Sequence, residues 1–184
     1  MSEILEPVGA TAELPGLQVV VMGVSGSGKT TVGELVAKRL GVEYADADDF
    51  HSAANRQKLH AGIPLTDQDR EPWLRAIGQW LADHKHDGGV VSCSALKRRY
   101  RDLLRMRAPN LILLFCDGSK ELITERIAAR SHHFMSPALL ECQFAELERP
   151  GADEPCFADD MTAPPDVIVS RFITDVVRRE VREE

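Results

Sequence analysis

A single eight-residue motif constrains the fold of this chain more than any other feature. Residues 23–30 read Gly-Val-Ser-Gly-Ser-Gly-Lys-Thr and fit the phosphate-binding pattern G-x-x-x-x-G-K-T. An apolar, β-branched run at residues 17–22 precedes the motif, and residues 31–40 after it carry apolar side chains at helical spacing. A strand, a glycine-rich loop and a helix thus follow one another in the order that a phosphate-binding loop (P-loop) requires.

Each residue type in this motif is suited to holding the phosphates of a nucleotide. Glycines let the backbone turn tightly and present its N–H groups to phosphate oxygens, and the next helix directs the positive end of its dipole at the same anion. Lys29 is expected to reach the β- and γ-phosphates, and the Thr30 hydroxyl is expected to ligate Mg²⁺. The residues predicted to bind the nucleotide are Gly23, Val24, Ser25, Gly26, Ser27, Gly28, Lys29, Thr30 and Thr31.

Alternating strand and helix patterns predict a three-layer α/β/α architecture. Strands are predicted at residues 17–22, 43–46, 89–94, 111–116 and 167–169. Helices are predicted at residues 31–40, 51–61, 97–106, 119–130, 137–147 and 172–182, with one more that Asp69 caps. Such a pattern is typical of a parallel sheet, here five-stranded, that is covered on both faces and binds ligands at the carboxyl ends of its strands.

The predicted organisation is one domain at residues 17–184 after a flexible extension at residues 1–16. The extension lacks the basic and apolar segments of a secretory signal. Residues 131–162 form a longer connection than is usual between such elements, and we expect a mobile lid over about residues 131–147. Trp73 and Trp80 share one face of the helix that Asp69 caps, so we expect them to anchor the core.

Composition argues against several classes of function. The formal net charge of −7 and the isoelectric point near 5.4 argue against a general nucleic-acid-binding surface. No apolar run approaches the roughly 20 residues that cross a bilayer, so no membrane contact is expected. The four cysteines never occur as C-x-x-C, which argues against a zinc site and favours a reducing cytoplasm.

Acidic residues after two of the predicted strands are candidate magnesium ligands or proton acceptors. Asp46, Asp48 and Asp49 follow the second strand, where they would lie beside the P-loop. Asp117 ends the fourth strand and has the position of the acidic residue that holds Mg²⁺ in many P-loop ATPases. Residue physics alone leaves both sites open for the metal.

Basic residues cluster in two places. Residues 97–101 read Lys-Arg-Arg-Tyr-Arg, a pattern that fits either a local anion site or an exposed basic helix face. Arg126 and Arg130 are four residues apart on one helix before the expected lid, where arginines can clamp a transferring phosphate. Surface ion pairs with Glu121 or Glu125 are the alternative for these two arginines.

Several separated blocks resemble the gluconokinase family of P-loop small-molecule kinases, which use ATP to phosphorylate D-gluconate at its 6-hydroxyl. The resemblance runs from about residue 19 to the C-terminus. Besides the P-loop, it rests on residues 46–51 (Asp-Ala-Asp-Asp-Phe-His), 55–59, 62–70, 72–74 (Pro-Trp-Leu), 93–102 (Cys-Ser-Ala-Leu-Lys-Arg-Arg-Tyr-Arg-Asp), 133–134 (His-Phe) and 143–148 (Gln-Phe-Ala-Glu-Leu-Glu). Ala47 and Ser52 stand where the family usually has Gly and Pro, which bears on fine positioning in the acidic turn.

The resemblance implies a nucleoside-monophosphate-kinase-like fold with Mg·ATP on the P-loop and D-gluconate between the sheet and the lid. It implies that Asp46 joins Thr30 near Mg²⁺ and that Asp48 lies at the acceptor hydroxyl. It also implies that the protein forms a homodimer and that its product enters carbohydrate-acid catabolism. The residues expected to hold gluconate are Asp48, His51, Lys58, Arg70, Lys97 and Arg101, and those expected to act in the transfer are Lys29, Asp48, Arg126 and Arg130.

Besides a nucleic-acid-remodelling ATPase, against which the net charge of −7 and the short chain argue, two other interpretations of the sequence compete with this one. The nearer is another small-acceptor P-loop kinase of the shikimate- or nucleotide-kinase type, against which the block at residues 93–97 argues. The other is a nucleotide-dependent switch such as a GTPase, but neither a D-x-x-G nor an N-K-x-D motif occurs in the chain.

Overall fold

The fold is a five-stranded parallel sheet between two layers of helices. A computed structural model describes residues 14–129 and 136–183. The strands are β1 (Gln18–Met22), β2 (Glu43–Asp46), β3 (Gly89–Ser92), β4 (Ile112–Asp117) and β5 (Cys156–Asp160). The helices are α1 (Lys29–Leu40), α2 (Ala53–His60), α3 (Asp67–Asp83), α4 (Arg98–Arg105), α5 (Lys120–Ala128), α6 (Pro137–Glu146) and α7 (Pro165–Glu183), with a 3₁₀ helix at Ala47–Phe50.

The order of the strands puts the P-loop at the centre of the sheet. The order is β2-β3-β1-β4-β5, and every neighbouring pair is parallel. In register, Val20 of β1 lies opposite Val91 of β3 and Leu113 of β4. All carboxyl ends therefore meet at one edge, where the P-loop after β1 lies between the segments that follow β3 and β4.

Alternate side chains of the central strands form two separate cores. Val20 and Met22 pack with α3 and α4 on one face of the sheet, whereas Val19 and Val21 pack with α1 and α7 on the other. All four side chains are fully buried. This two-sided burial explains why β1 reads as a continuous apolar run rather than as an alternating one.

The fifth strand differs from the prediction. Residues 167–169, predicted as a strand, lie inside α7, and the fifth strand is Cys156–Asp160. A run of three apolar residues is too short to show whether its period is that of a strand or a helix. In the structure, Ile168, Phe172 and Val176 are buried at helical spacing against α1. Strand β5 lies at the edge of the sheet and ends in acidic residues, so its sequence resembles a polar loop.

The first four predicted strands and all predicted helices are confirmed, with shifted ends. Helix α3 begins three residues earlier than predicted, since Thr66 is its N-cap and Asp69 completes a capping box. Trp73 is buried and Trp80 packs against the same core, as predicted. Residues 1–13 of the expected extension and residues 131–135 of the expected lid lie outside the described residues. No helix of the described part is long and apolar enough to cross a membrane.

Candidate active site

The P-loop has the backbone geometry of an anion cradle. Gly26 and Gly28 have positive φ angles of 79° and 100°, which side-chain-bearing residues rarely adopt. A Cβ atom on Gly26 would also come within 2.7 Å of Ile127 Cγ1 on α5. Ser27 is fully buried, and its hydroxyl makes no hydrogen bond within the described part of the chain. The loop therefore fits a ligand that supplies phosphate oxygens to its N–H groups.

Lys29 stands at the start of α1 with its ammonium group turned back over the loop. Its Nζ donates a hydrogen bond to the carbonyl oxygen of Val24 at 3.0 Å. Burial lowers the pKa of Lys29, although the carboxylates of Asp48 and Asp46 act in the opposite direction. A partly desolvated cation beside a ring of N–H donors attracts a polyanion strongly, because little water screens it.

A cleft of about 440 Å³ opens in front of the P-loop. It is bounded by the P-loop, the acidic turn after β2, the start of α3, the segment after β3, and helices α5 and α6. The predicted site residues that line it are Ser25, Gly26, Lys29, Thr30, Asp46, Asp48, His51 and Arg70. A phosphate-binding loop and a separate polar wall thus face the same space.

The acidic turn brings two carboxylates into this cleft. Asp46 accepts a hydrogen bond from the backbone N–H of Asp48 at 2.9 Å and so caps the 3₁₀ helix. The walls of the cleft remove part of the hydration of Asp48, and this desolvation, together with the charge of Asp46, raises the pKa of Asp48. Asp117 instead forms a two-bond ion pair with Arg149, at 2.5 and 2.8 Å, and does not line the cleft.

His51 is held rigidly on the wall opposite the P-loop. Its ring stacks on Trp73 with the centroids 4.5 Å apart, and its Nδ1 lies 3.5 Å from the side-chain nitrogen of Asn55. Its Nε2 lies 4.0 Å from Asp48 Oδ1. Burial lowers the pKa of His51, so the neutral ring prevails at neutral pH and can exchange hydrogen bonds with hydroxyl groups.

A cationic cluster lies where α3 meets α4. Arg70 donates a hydrogen bond to the hydroxyl of Tyr100 at 2.9 Å and lies 4.0 Å from Glu146. Lys97 lies above the Tyr100 ring, 5.6 Å from its centroid, and pairs with Glu146 at 3.4 Å and Asp67 at 3.6 Å. Of these two cations, Arg70 lines the cleft.

The structure corrects the prediction for Arg101. This side chain is completely buried, and its guanidinium group donates two hydrogen bonds to Glu154, at 2.7 and 2.9 Å. It also donates to the carbonyl oxygens of Ala95 and Leu96. Held by these partners, Arg101 supports the segment after β3 and does not line the cleft.

Two further predicted residues lie outside the lining of the cleft. Lys58 on α2 donates to both carboxylate oxygens of Asp69, at 2.7 and 2.9 Å. Arg126 on α5 donates to the carbonyl oxygen of Met161 rather than pairing with a glutamate. Arg130, predicted to act with Arg126, lies outside the described residues.

Sequence reasoning missed three residues that shape this site. Trp73 was expected only in the core, but one side of it also forms the cleft wall on which His51 stacks. Tyr100 orients Arg70, and Gln143 of α6 reaches the P-loop. Tyr100 and Gln143 lie inside blocks that carry the family resemblance, and this resemblance was the sequence signal that could have identified them. Their partners are 30 and 118 residues away, so no local pattern could assign them a role.

The fold and the site together define a P-loop kinase of small molecules. A family model described as shikimate kinase matches residues 25–149. The gluconokinase of Gluconobacter oxydans (strain 621H) is 43% identical over 157 residues, which cover 84% of this chain and 88% of that relative. The thermosensitive gluconokinase of Escherichia coli (strain K12) is 46% identical over 143 residues, covering 77% and 76% respectively.

A solved structure gives the same result at the level of the fold. The crystal structure of a gluconokinase from Sinorhizobium meliloti 1021 superposes with a TM-score of 0.82 at 45% sequence identity, covering 90% of this chain and 94% of that one. The chain belongs to the gluconokinase family and is a phosphotransferase.

Proposed function

We propose that this protein transfers the γ-phosphoryl group of ATP to the 6-hydroxyl of D-gluconate, giving 6-phospho-D-gluconate and ADP. One observation carries the proposal: the P-loop with Lys29 and the polar wall with Asp48, His51 and Arg70 face a single cleft. The names of the gluconokinase relatives supply the acceptor. A shikimate- or nucleotide-kinase-like acceptor is not favoured, since the gluconokinase relatives match most of the chain.

In this reaction, the P-loop and the residues around it bind the phosphate groups of ATP. Its N–H groups and Lys29 bind the triphosphate and neutralise the charge of the transferring group. Thr30 and Asp46 would hold Mg²⁺, which would neutralise part of the phosphate charge when bound. A set of one hydroxyl and one carboxylate suits Mg²⁺, which takes its other ligands from phosphates and water. Arg126 would exchange its bond to the Met161 carbonyl oxygen for a contact with the triphosphate, and the sequence assigns Arg130 to the same role.

The wall of the cleft opposite the P-loop binds the acceptor. Asp48 accepts a hydrogen bond from the acceptor hydroxyl and aims its oxygen at the γ-phosphorus, so its main contribution is alignment. His51 binds hydroxyl groups of gluconate, and Arg70 binds its carboxylate. A guanidinium group can pair with a carboxylate through two parallel hydrogen bonds, which would favour a sugar acid over a neutral sugar.

Three further features belong to the same proposal. The enzyme works in the reducing cytoplasm, which agrees with the absence of a disulfide among its four cysteines, all of which the structure describes. It acts as a homodimer, as the family resemblance implies, and light scattering in solution will measure its mass. Mg²⁺ dependence is tested by adding a chelator to the assay and restoring activity with excess Mg²⁺.

The decisive experiment measures ADP release with Mg·ATP over a panel of acceptors. The panel holds D-gluconate, other sugar acids, glucose, shikimate, AMP and a blank without acceptor. We expect turnover with D-gluconate well above that with glucose or shikimate. Turnover with a different acceptor would keep the kinase and reject gluconate, and turnover independent of any acceptor would reject both.

A further inference from the structure

Helix α6 is tied to the P-loop by one side chain. The Gln143 amide forms two hydrogen bonds with Ser25: its Oε1 accepts from the backbone N–H at 2.7 Å, and its Nε2 donates to the hydroxyl oxygen at 3.0 Å. Both residues line the cleft. Ser25 belongs to the loop that the proposed function assigns to ATP.

The packing of α6 fixes where Gln143 points. Leu140, Phe144 and Leu147 pack into a small apolar cluster with Val24 of the P-loop and Ile123 of α5. Gln143 lies between these packed positions along the helix and extends to the loop. Its place in the cleft is therefore set by tertiary packing and is not a chance rotamer of an exposed side chain.

The hydrogen-bonding groups of this contact indicate which ligand group binds at the Ser25 N–H. Backbone N–H groups of a P-loop are donors to phosphate oxygens, and here the amide oxygen of Gln143 takes the N–H of Ser25. Ser25 is the third residue of the motif, and it faces the cleft together with Lys29 and Asp48. The Gln143 amide thus occupies a phosphate-like position on the side of the loop that faces the acceptor wall.

We propose that Gln143 binds the terminal phosphate of ATP and distinguishes ATP from ADP. With the triphosphate present, its Nε2 donates to an oxygen of the γ-phosphate, and the Ser25 N–H becomes available to the same group. The inference rests on the proposed function in one respect, namely that a nucleoside triphosphate is the donor.

Two substitutions separate this role from simple docking of α6. Glu at position 143 has the length of Gln and can accept hydrogen bonds from both the N–H and the hydroxyl of Ser25, so a docking role alone would leave Gln143→Glu similar to the unmodified protein. A contact with the γ-phosphate instead predicts that the added negative charge is harmful. Gln143→Ala removes the contact without adding charge.

The measurement is the affinity for ATP and for ADP by calorimetry, with Mg²⁺ and without any acceptor. We expect Gln143→Glu to weaken ATP binding by about tenfold or more relative to ADP, since a like charge repels the terminal phosphate in a partly desolvated site. Gln143→Ala should weaken ATP binding less, again relative to ADP. An unchanged ATP-to-ADP affinity ratio in both variants, including equal losses for the two nucleotides, would overturn the proposal.

A matched control lies on the same helix. Glu141 is exposed and pairs with Lys120 of α5, so Glu141→Gln loosens α6 without reaching the P-loop. We expect it to leave the ATP-to-ADP ratio unchanged, and an equal change in this variant would count against a specific role for Gln143. Thermal melting of each variant checks folding. Because no acceptor is used, rejection of gluconate by the acceptor panel would leave this result valid.

Discussion

Arg101 shows how far a residue's role depends on where the fold takes it. Its neighbour Lys97 joins the cationic cluster beside Arg70, but Arg101 lies on the inner face of α4 and is fully buried against Glu154. Burial alone would raise the pKa of Glu154, but hydrogen bonds from Arg101 and Arg105 outweigh it and hold the pKa at about 2.

Loss of this buried pair should reduce stability and leave substrate binding intact. Glu154→Gln leaves a buried guanidinium group without its counter-charge, so we expect a loss of about 3–5 kcal/mol in the free energy of unfolding, measured with urea. The exposed Asp153, which pairs with Arg98, is the control, and Asp153→Asn should have a much smaller effect. A higher KM for gluconate with unchanged stability would contradict this assignment.

The same pair predicts a pH dependence of stability. The pKa of Glu154 is lower in the folded protein than its ordinary value of 4.5, so the stabilisation is complete above that value. It is lost as the pH falls from about 4.5 towards about 2. Unfolding curves across this range should show a smaller acid-induced loss for Glu154→Gln than for the unmodified protein.

Asp48 is expected to limit activity at acid pH. Desolvation and Asp46 raise its pKa above the ordinary 3.8, so the ionised form that aligns the acceptor is lost at a higher pH than for a free aspartate. Asp48→Asn should lower kcat by about 100-fold and remove this acid limb from the pH profile. Asp49→Asn, on the same turn, should keep both the rate and the profile.

Arg70 and Lys58 give a paired test of substrate binding. Arg70 faces the cleft, whereas Lys58 is held by Asp69 outside its lining. Arg70→Ala should raise the KM for gluconate about 10- to 100-fold, as loss of a charged hydrogen bond predicts, with the KM for ATP unchanged. Lys58→Ala should leave both KM values near those of the unmodified enzyme. Equal effects of the two substitutions would argue against a specific role for Arg70.

At the scale of elements, the start of α3 determines the shape of the acceptor wall. The Thr66 hydroxyl oxygen accepts a hydrogen bond from the Asp69 N–H at 3.2 Å, and the Asp69 carboxylate accepts one from the Thr66 N–H at 2.9 Å. Arg70 and Trp73 follow in the next turn, so the cap fixes the helix end from which both reach the cleft.

Removal of this cap should cost stability in a way that a second hydroxyl residue restores. Thr66→Ala should lower the free energy of unfolding by about 1 kcal/mol, and Thr66→Ser should recover most of it. Chemical denaturation measures both effects. If Ala and Ser were equally destabilising, the loss would come from the methyl group of threonine rather than from the capping bond.

For the whole molecule, nucleotide binding should be visible as thermal stabilisation. Mg·ATP at about 100 times its Kd adds about 2.7 kcal/mol, which for a domain of this size raises Tm by roughly 5–10 °C. Lys29→Met should abolish most of this shift while folding normally in the absence of ligand. Retention of the full shift in Lys29→Met would show that the nucleotide binds elsewhere.

The P-loop, four of the five strands and the acidic turn could be predicted without a structure, because each is encoded by local spacing. Local sequence is enough to interpret the glycines at 23, 26 and 28 and the apolar run before them. The resemblance of several blocks to gluconokinases extended that reading to the acceptor, and the comparisons confirm the family.

The tertiary structure alone decided which polar residues face the cleft and which support it. Arg70 and Arg101 are equally basic in sequence, and only the packing of α3, α4 and the turn at Glu154 separates their roles. The edge strand β5 and the Gln143–Ser25 contact escaped sequence reasoning for the same reason. Their hydrogen bonds join residues far apart in the chain, and no periodic pattern of apolar residues records such a pairing.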